Sequence, residues 1–173
     1  MVNDDLLHGV VEEVAVALIE AFQNDNKVLL CGNGGSAADA QHIAAELAGR
    51  YLLDRKPLFA VALHDNVSYL TAVANDYSYD EVFARGIQAK GREGDVLIAI
   101  STSGNSANII RALEEARAIN MVTIGFGGQS GGKMVGLCDK IIKIPSDETP
   151  RIQEAHIMIG HIICELVEEK LFG

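Results

Sequence analysis

His42 and Glu46 stand four residues apart, a spacing that puts an imidazole and a carboxylate on one face of a helix about a turn apart. Near the C-terminus, Gln153, His156 and His161 form a second polar set inside an otherwise apolar stripe. Two imidazoles and a carboxylate make an ordinary zinc set, and a glutamine adds an unusual but hard oxygen donor. Gln153 and His161 share one broad side of a helix but lie about 12 Å apart along its axis, so long side chains would have to converge on a common ion. Spacing alone favours the plainer reading of any one histidine as a satisfied surface or core residue. His8 and His64 keep that reading.

Two loops of small residues each follow a short apolar run. Cys31-Gly32-Asn33-Gly34-Gly35-Ser36 follows Val28-Leu29-Leu30, and Ser101-Thr102-Ser103-Gly104-Asn105-Ser106 follows Val96-Leu97-Ile98-Ala99-Ile100. Each reads as the turn from a buried parallel strand into a helix, where backbone N–H groups, small hydroxyls and the positive helix end meet an anion. Two such loops suit a ligand with two polar ends, such as a phosphorylated sugar. The first loop formally matches a dinucleotide fingerprint, but Asp65 falls about ten residues beyond the usual place of the acidic partner. No Gly-Lys-Ser/Thr follows either loop, which excludes a P-loop. The plainer alternative for Ser101, Thr102, Ser103 and Ser106 is that they cap a helix.

Alternating elements must position these groups. An amphipathic leading helix is predicted over about 4–22, from Leu7, Val10, Val11, Val14, Leu18 and Ile19 at helical spacing. Strands are predicted at 28–30, 59–63, 96–100, 122–126 and 140–144, with helices starting near Ser36, Asn66 and Ser106. Thr149-Pro150 opens a last helix predicted to run to about Leu171. This alternation implies an α/β fold with a five-stranded parallel sheet covered by helices on both faces, doubly wound in the flavodoxin-like manner. No internal boundary or repeat interrupts it, so residues 1–173 read as one domain.

The composition bounds the function. The chain has 173 residues, 49% hydrophobic and 22% charged, as in an ordinary globular protein. Its net charge of -10 disfavours nucleic acid as a partner. No apolar run approaches the roughly 20 residues of a membrane span. Met1-Val2-Asn3-Asp4-Asp5 is unlike a signal peptide, which points to the cytoplasm. Cys31, Cys138 and Cys164 are spaced neither for a metal finger nor for pairing and read as reduced thiols.

In combination, Cys31-Gly32-Asn33-Gly34-Gly35-Ser36, Ala38-Asp39-Ala40-Gln41-His42 and Glu46-Leu47-Ala48-Gly49-Arg50-Tyr51 resemble the sugar isomerase (SIS) domain family, in its phosphoheptose isomerase branch. The resemblance continues through Ala74-Asn75-Asp76-Tyr77, Gly91-Arg92-Glu93-Gly94-Asp95, Ser101 to Asn108 and Arg151-Ile152-Gln153-Glu154-Ala155-His156-Ile157, nearly the whole chain. It implies a single SIS domain, a homotetramer with active sites at subunit interfaces, and a zinc-assisted isomerisation of sedoheptulose 7-phosphate on the route to the heptose of lipopolysaccharide core or related surface glycans. It also implies zinc, one per subunit, on His42, Glu46, Gln153 and His161. Substrate would meet Asn33, Gly34, Gly35, Glu46, Asn75 and Asp76 at the sugar, with Ser101, Thr102, Ser103, Ser106 and Gln153 completing the set. The leading segment is shorter than in many members, with one helix before the first strand.

Moving a carbonyl between C1 and C2 needs a base on carbon and an acid on oxygen. The resemblance implies Glu46 as the base and His161 as its acid–base partner. The same family contains a replication-initiator-associating binding protein that shares the Gly-Asn-Gly loop but lacks these two groups. Glu46 and His161 are both present here, which favours the enzyme. A sugar-phosphate-sensing regulator would carry a DNA-binding module, and no helix-turn-helix extension fits within the chain.

Overall fold

The computed structural model describes residues 5–173. The Asp4 start of the leading helix and the reading of the first residues lie outside the described part. Element order is α1 (Asp5–Gln23), β1 (Val28–Gly32), α2 (Gly35–Ala48), β2 (Ala60–Ala62), α3 (Val67–Asp76), a 3-10 turn (Tyr79–Glu81), α4 (Val82–Lys90), β3 (Val96–Ser101), α5 (Ala107–Ala118), β4 (Val122–Gly127), a second 3-10 turn (Gly132–Gly136), β5 (Lys140–Lys143) and α6 (Thr149–Phe172).

The five strands are all parallel, in the order β2-β1-β3-β4-β5. Every residue of β1 and β3 is buried, as expected of strands covered on both faces. Alternate side chains serve opposite cores. Leu30, Ile98 and Phe126 pack with Val14, Leu18, Ile43, Leu47, Ile159 and Ile163 of α1, α2 and α6. Leu29, Leu97 and Ala99 pack with Phe83, Ile87, Ile109 and Leu113 of α4 and α5. The expected leading and closing helices therefore share one face. No described helix is long and apolar enough to cross a membrane.

Helix α4 is an addition to the elements expected from sequence. Gly86 at its centre weakens its intrinsic propensity, and burial of Val82, Phe83 and Ile87 stabilises it instead. The strand order reverses direction between β1 and β3, and in such sheets ligands bind in the crevice beyond the C-terminal strand ends at this point. The two small-residue loops leave the sheet there, one from each strand.

Candidate active site

Helices α2 and α6 lie side by side and run parallel, because Gly35 meets Gln153 at their beginnings and Ile43 meets Gly160 further along. The approach is close. A Cβ on Gly160 would fall 2.6 Å from Ile43 Cδ1, so only glycine admits this spacing without displacement. The next residue, His161, thereby reaches His42, with the two Nε2 atoms 2.9 Å apart. Glu46 Oε1 stands 3.2 Å from His42 Nε2, one helical turn along α2. Ligand atoms of His42, Glu46 and His161 all lie within 4.8 Å of one another.

Gln153 stands at the other end of this helix pair. Its amide packs so tightly on Gly35 that a Cβ there would meet Nε2 at 2.3 Å. Gly34 precedes α2 with a φ of 56°, a left-handed conformation that favours glycine. No side chain caps the N-terminus of α2; the Ser36 N–H donates to the Asn33 carbonyl at 3.0 Å and the Ala37 N–H to the Gly34 carbonyl at 3.1 Å.

The second loop is organised by its own hydroxyls. Ser106 is the N-cap residue of α5, yet its side chain caps nothing; its Oγ lies 3.1 Å from Ser101 Oγ instead. This departs from the capping alternative for Ser106 and leaves the first N–H groups of α5 open to a ligand. Ser103 Oγ accepts from the Asn105 N–H at 3.2 Å, and the Thr102 carbonyl accepts from Gly128 N–H at 3.0 Å. Asn33 and Asn108 tie the two loops together by exchanging amide hydrogen bonds, each 2.9 Å. The Tyr79 hydroxyl donates to the side-chain amide oxygen Oδ1 of Asn33 at 3.2 Å. Asn75 and Asp76 end α3 on the surface, bonded to each other at 2.9 Å.

Several residues around the site carry no role that their place in the sequence reveals. The Tyr51 ring lies 5.9 Å, centroid to centroid, from that of His161. Burial, then the nearby Glu165, Cys164, Glu46 and Glu168, push its phenol above the usual range. Asp39, one turn before His42, has an oxygen buried without a partner, and burial raises its carboxyl against the opposing pull of His42. Glu168 is buried, which alone would raise its carboxyl, yet bonds from the N–H groups of Leu53, Leu52 and Tyr51 and from Arg55 bring it down to about 2. Lone charges in sequence read as solvated groups, and only the tertiary fold buries this one. His156 is fully buried and donates to the Gly127 carbonyl, whereas His64 packs beside Ala37, so both remain packing residues.

The donor set fits zinc. Two imidazole nitrogens at 2.9 Å satisfy each other with one shared proton, but in their neutral forms both can also turn lone pairs to a cation, with a carboxylate completing the face. Gln153 is separated from this trio by two helical turns along α6, as its place beside Gly35 requires.

Comparison with known proteins agrees with this geometry. The model of the SIS domain family matches residues 5–128, and β5 and α6 complete the sheet and the site beyond that span. The chain is 57% identical to a phosphoheptose isomerase of Aneurinibacillus thermoaerophilus, over 98% of this chain and 85% of the relative. It is 54% identical to phosphoheptose isomerase 2 of Campylobacter jejuni, over 100% of this chain and 86% of the relative. A solved phosphoheptose isomerase structure from Neisseria gonorrhoeae superimposes with a TM-score of 0.90 at 43% identity, covering 95% of this chain and 88% of the other. The chain belongs to the SIS domain family and, within it, groups with the phosphoheptose isomerases.

Proposed function

We propose that this chain isomerises sedoheptulose 7-phosphate to D-glycero-D-manno-heptose 7-phosphate, early in the supply of activated heptose for lipopolysaccharide core or other surface glycans. The observation that carries the reading is the meeting of His42, Glu46 and His161 on the paired helices α2 and α6, whose other end holds Gln153 against the Gly35 loop at the switch point of the sheet. Residues 1–173 act as one SIS domain in this reading.

The chemistry follows from the groups available. Glu46 removes the proton from the carbon next to the carbonyl, and His161 protonates the carbonyl oxygen, giving an enediol. Glu46 then returns the carbon-bound proton to the neighbouring carbon while His161 takes the proton from the other oxygen, so the carbonyl has moved and both groups are restored. The hydroxyls of Ser101, Thr102 and Ser103, with Ser106 and the open N-terminus of α5, hold the phosphate. Binding there orients the far, reacting end. Asn33, Gly34, Gly35, Asn75, Asp76 and Gln153 meet the sugar hydroxyls.

Zinc, one per subunit, would be held by His42, Glu46 and His161, with Gln153 as fourth donor, and when bound it polarises the carbonyl. The assembly we infer is a homotetramer. In its support, Gly34, Gly35, Asn75 and Asp76 are exposed in the single chain, and Met158 and Ile162 leave an apolar face on α6. Three free cysteines suit a reducing cytoplasm.

The test is turnover of sedoheptulose 7-phosphate by zinc-supplied protein, read through a coupled reaction on the aldose product. Steady conversion is expected. Tight binding of the sugar phosphate without turnover would instead support the replication-initiator-associating, purely binding alternative.

A further inference from the structure

We propose that the buried Arg55–Glu168 pair is a positioning device for the reacting end of the site, fixing the last turn of α2 beneath Glu46 and the ring of Tyr51 beside His161. The inference rests on the reading of Glu46 and His161 as the proton-transfer pair.

Glu46 sits in the last turn of α2, which ends at Ala48. Final turns leave carbonyls without helical partners and open easily, so a carboxylate placed there needs outside support to keep its position. Arg55 provides it. Its Nη2 donates to the Glu46 carbonyl at 2.9 Å and its Nη1 to the Leu47 carbonyl at 2.7 Å. A cation at this end also opposes the negative pole of the helix.

Glu168 holds Arg55 in that pose, accepting from Nε at 2.9 Å, with side-chain exposures of 2% and 3% for the pair. The carboxylate has further work. It accepts from the backbone N–H groups of Tyr51 at 3.1 Å, Leu52 at 2.6 Å and Leu53 at 3.0 Å. A loop that would otherwise carry unpaired N–H groups is thus pinned to α6, and Tyr51 with it. His161 and Glu168 are seven residues apart on α6, hence on one stripe of the helix two turns apart. One helix therefore carries both the reacting imidazole and the anchor that sets its neighbours.

Every charge and most bonding capacity of the pair are used within the protein. A buried ion pair stabilises little relative to apolar residues of the same volume, so its retention calls for a reason beyond stability. Precise placement of Glu46 and Tyr51 supplies one.

The test compares Glu168→Gln, Arg55→Lys and Tyr51→Leu with the parent and with Glu46→Gln, each supplied with zinc and assayed well below its melting temperature. Because the phosphate loop lies elsewhere, Glu168→Gln is expected to lower kcat by at least about tenfold while KM stays within about twofold. Arg55→Lys, which keeps the charge but not the fork, is expected to fall between. If Glu168→Gln does not fold, Tyr51→Leu decides, since it leaves the buried pair intact; a similar loss of kcat is expected. A kcat within about twofold of the parent in the folded Glu168 variant, or in Tyr51→Leu where that variant decides, overturns the inference. Full activity of Glu46→Gln would overturn the underlying assignment instead.

Discussion

His42 and His161 meet Nε2 to Nε2 at 2.9 Å although 119 residues separate them in the chain. Two features produce the meeting. Helices on one face of a parallel sheet run in the same direction, so α2 and α6 bring corresponding turns together, and Gly160 removes the one side-chain carbon that would hold them apart. With Glu46 a turn below His42, the result is a compact group of one carboxylate and two imidazoles suited both to a divalent ion and to proton transfer.

Replacing Glu46 by Gln or His161 by Asn removes a proton-transfer group while nearly conserving its shape. Each change is expected to lower kcat by roughly a hundredfold or more, with the fold intact by circular dichroism. Near-parental turnover of sedoheptulose 7-phosphate in either variant refutes the assignment.

Gly160→Ala tests the helix spacing itself. The added methyl would meet Ile43 Cδ1 at 2.6 Å and Cγ1 at 2.7 Å. Because Ile43 is itself enclosed in the core, the clash is expected to be relieved by displacement of α6 from α2 as well as by a shift of the Ile43 side chain. Overpacking of this kind is expected to cost about 1–3 kcal/mol of stability. The displacement also separates His161 from His42, so zinc affinity should fall together with the melting temperature. A variant that melts earlier yet binds zinc as tightly as the parent would show that the spacing does not set the metal group.

The hydroxyl loop makes a separable prediction. Changing Ser101, Thr102 and Ser103 together to alanine removes the hydroxyls proposed to hold the phosphate, each worth about 1.5–3 kcal/mol when bonded to a charged group. KM is expected to rise strongly, with only the modest fall in melting temperature that loss of the Ser101–Ser106 and Ser103–Asn105 bonds brings. The capping alternative predicts the opposite, lost stability with KM unchanged.

What the sequence revealed and what it hid follow from the range of each interaction. The His42 and Glu46 pairing was legible because it is local to one helix, and the fold class was legible because strands buried on both faces leave continuous apolar runs. The reciprocal Asn33 and Asn108 bonds span 75 residues and depend on β1 and β3 being neighbours, which no local pattern encodes. Arg55 and Glu168 likewise gain their meaning only from burial against each other. Gln153 was legible as a polar residue on the right helix, whereas its seat against Gly35 required the register of α2 on α6.

His156 gives a pH signature independent of catalysis. It is fully buried, and burial lowers its imidazole from 6.5 to about 4 even though the Nε2–H bond to the Gly127 carbonyl works the other way. Between those values the unfolded chain binds a proton that the folded protein does not, so stability rises with pH across this window. The contribution is complete above the unfolded value of 6.5 and is lost as pH falls toward about 4. From about pH 7.5 to about pH 5 the loss from this one group is on the order of 2 kcal/mol. His156→Gln cannot titrate here, so urea unfolding of this variant should show a shallower decline over that interval than the parent. Some slope remains, since burial also lowers His64. Identical pH slopes in parent and variant would mean that His156 takes up its proton without opening the fold, contrary to its enclosed position between α6 and the end of β4.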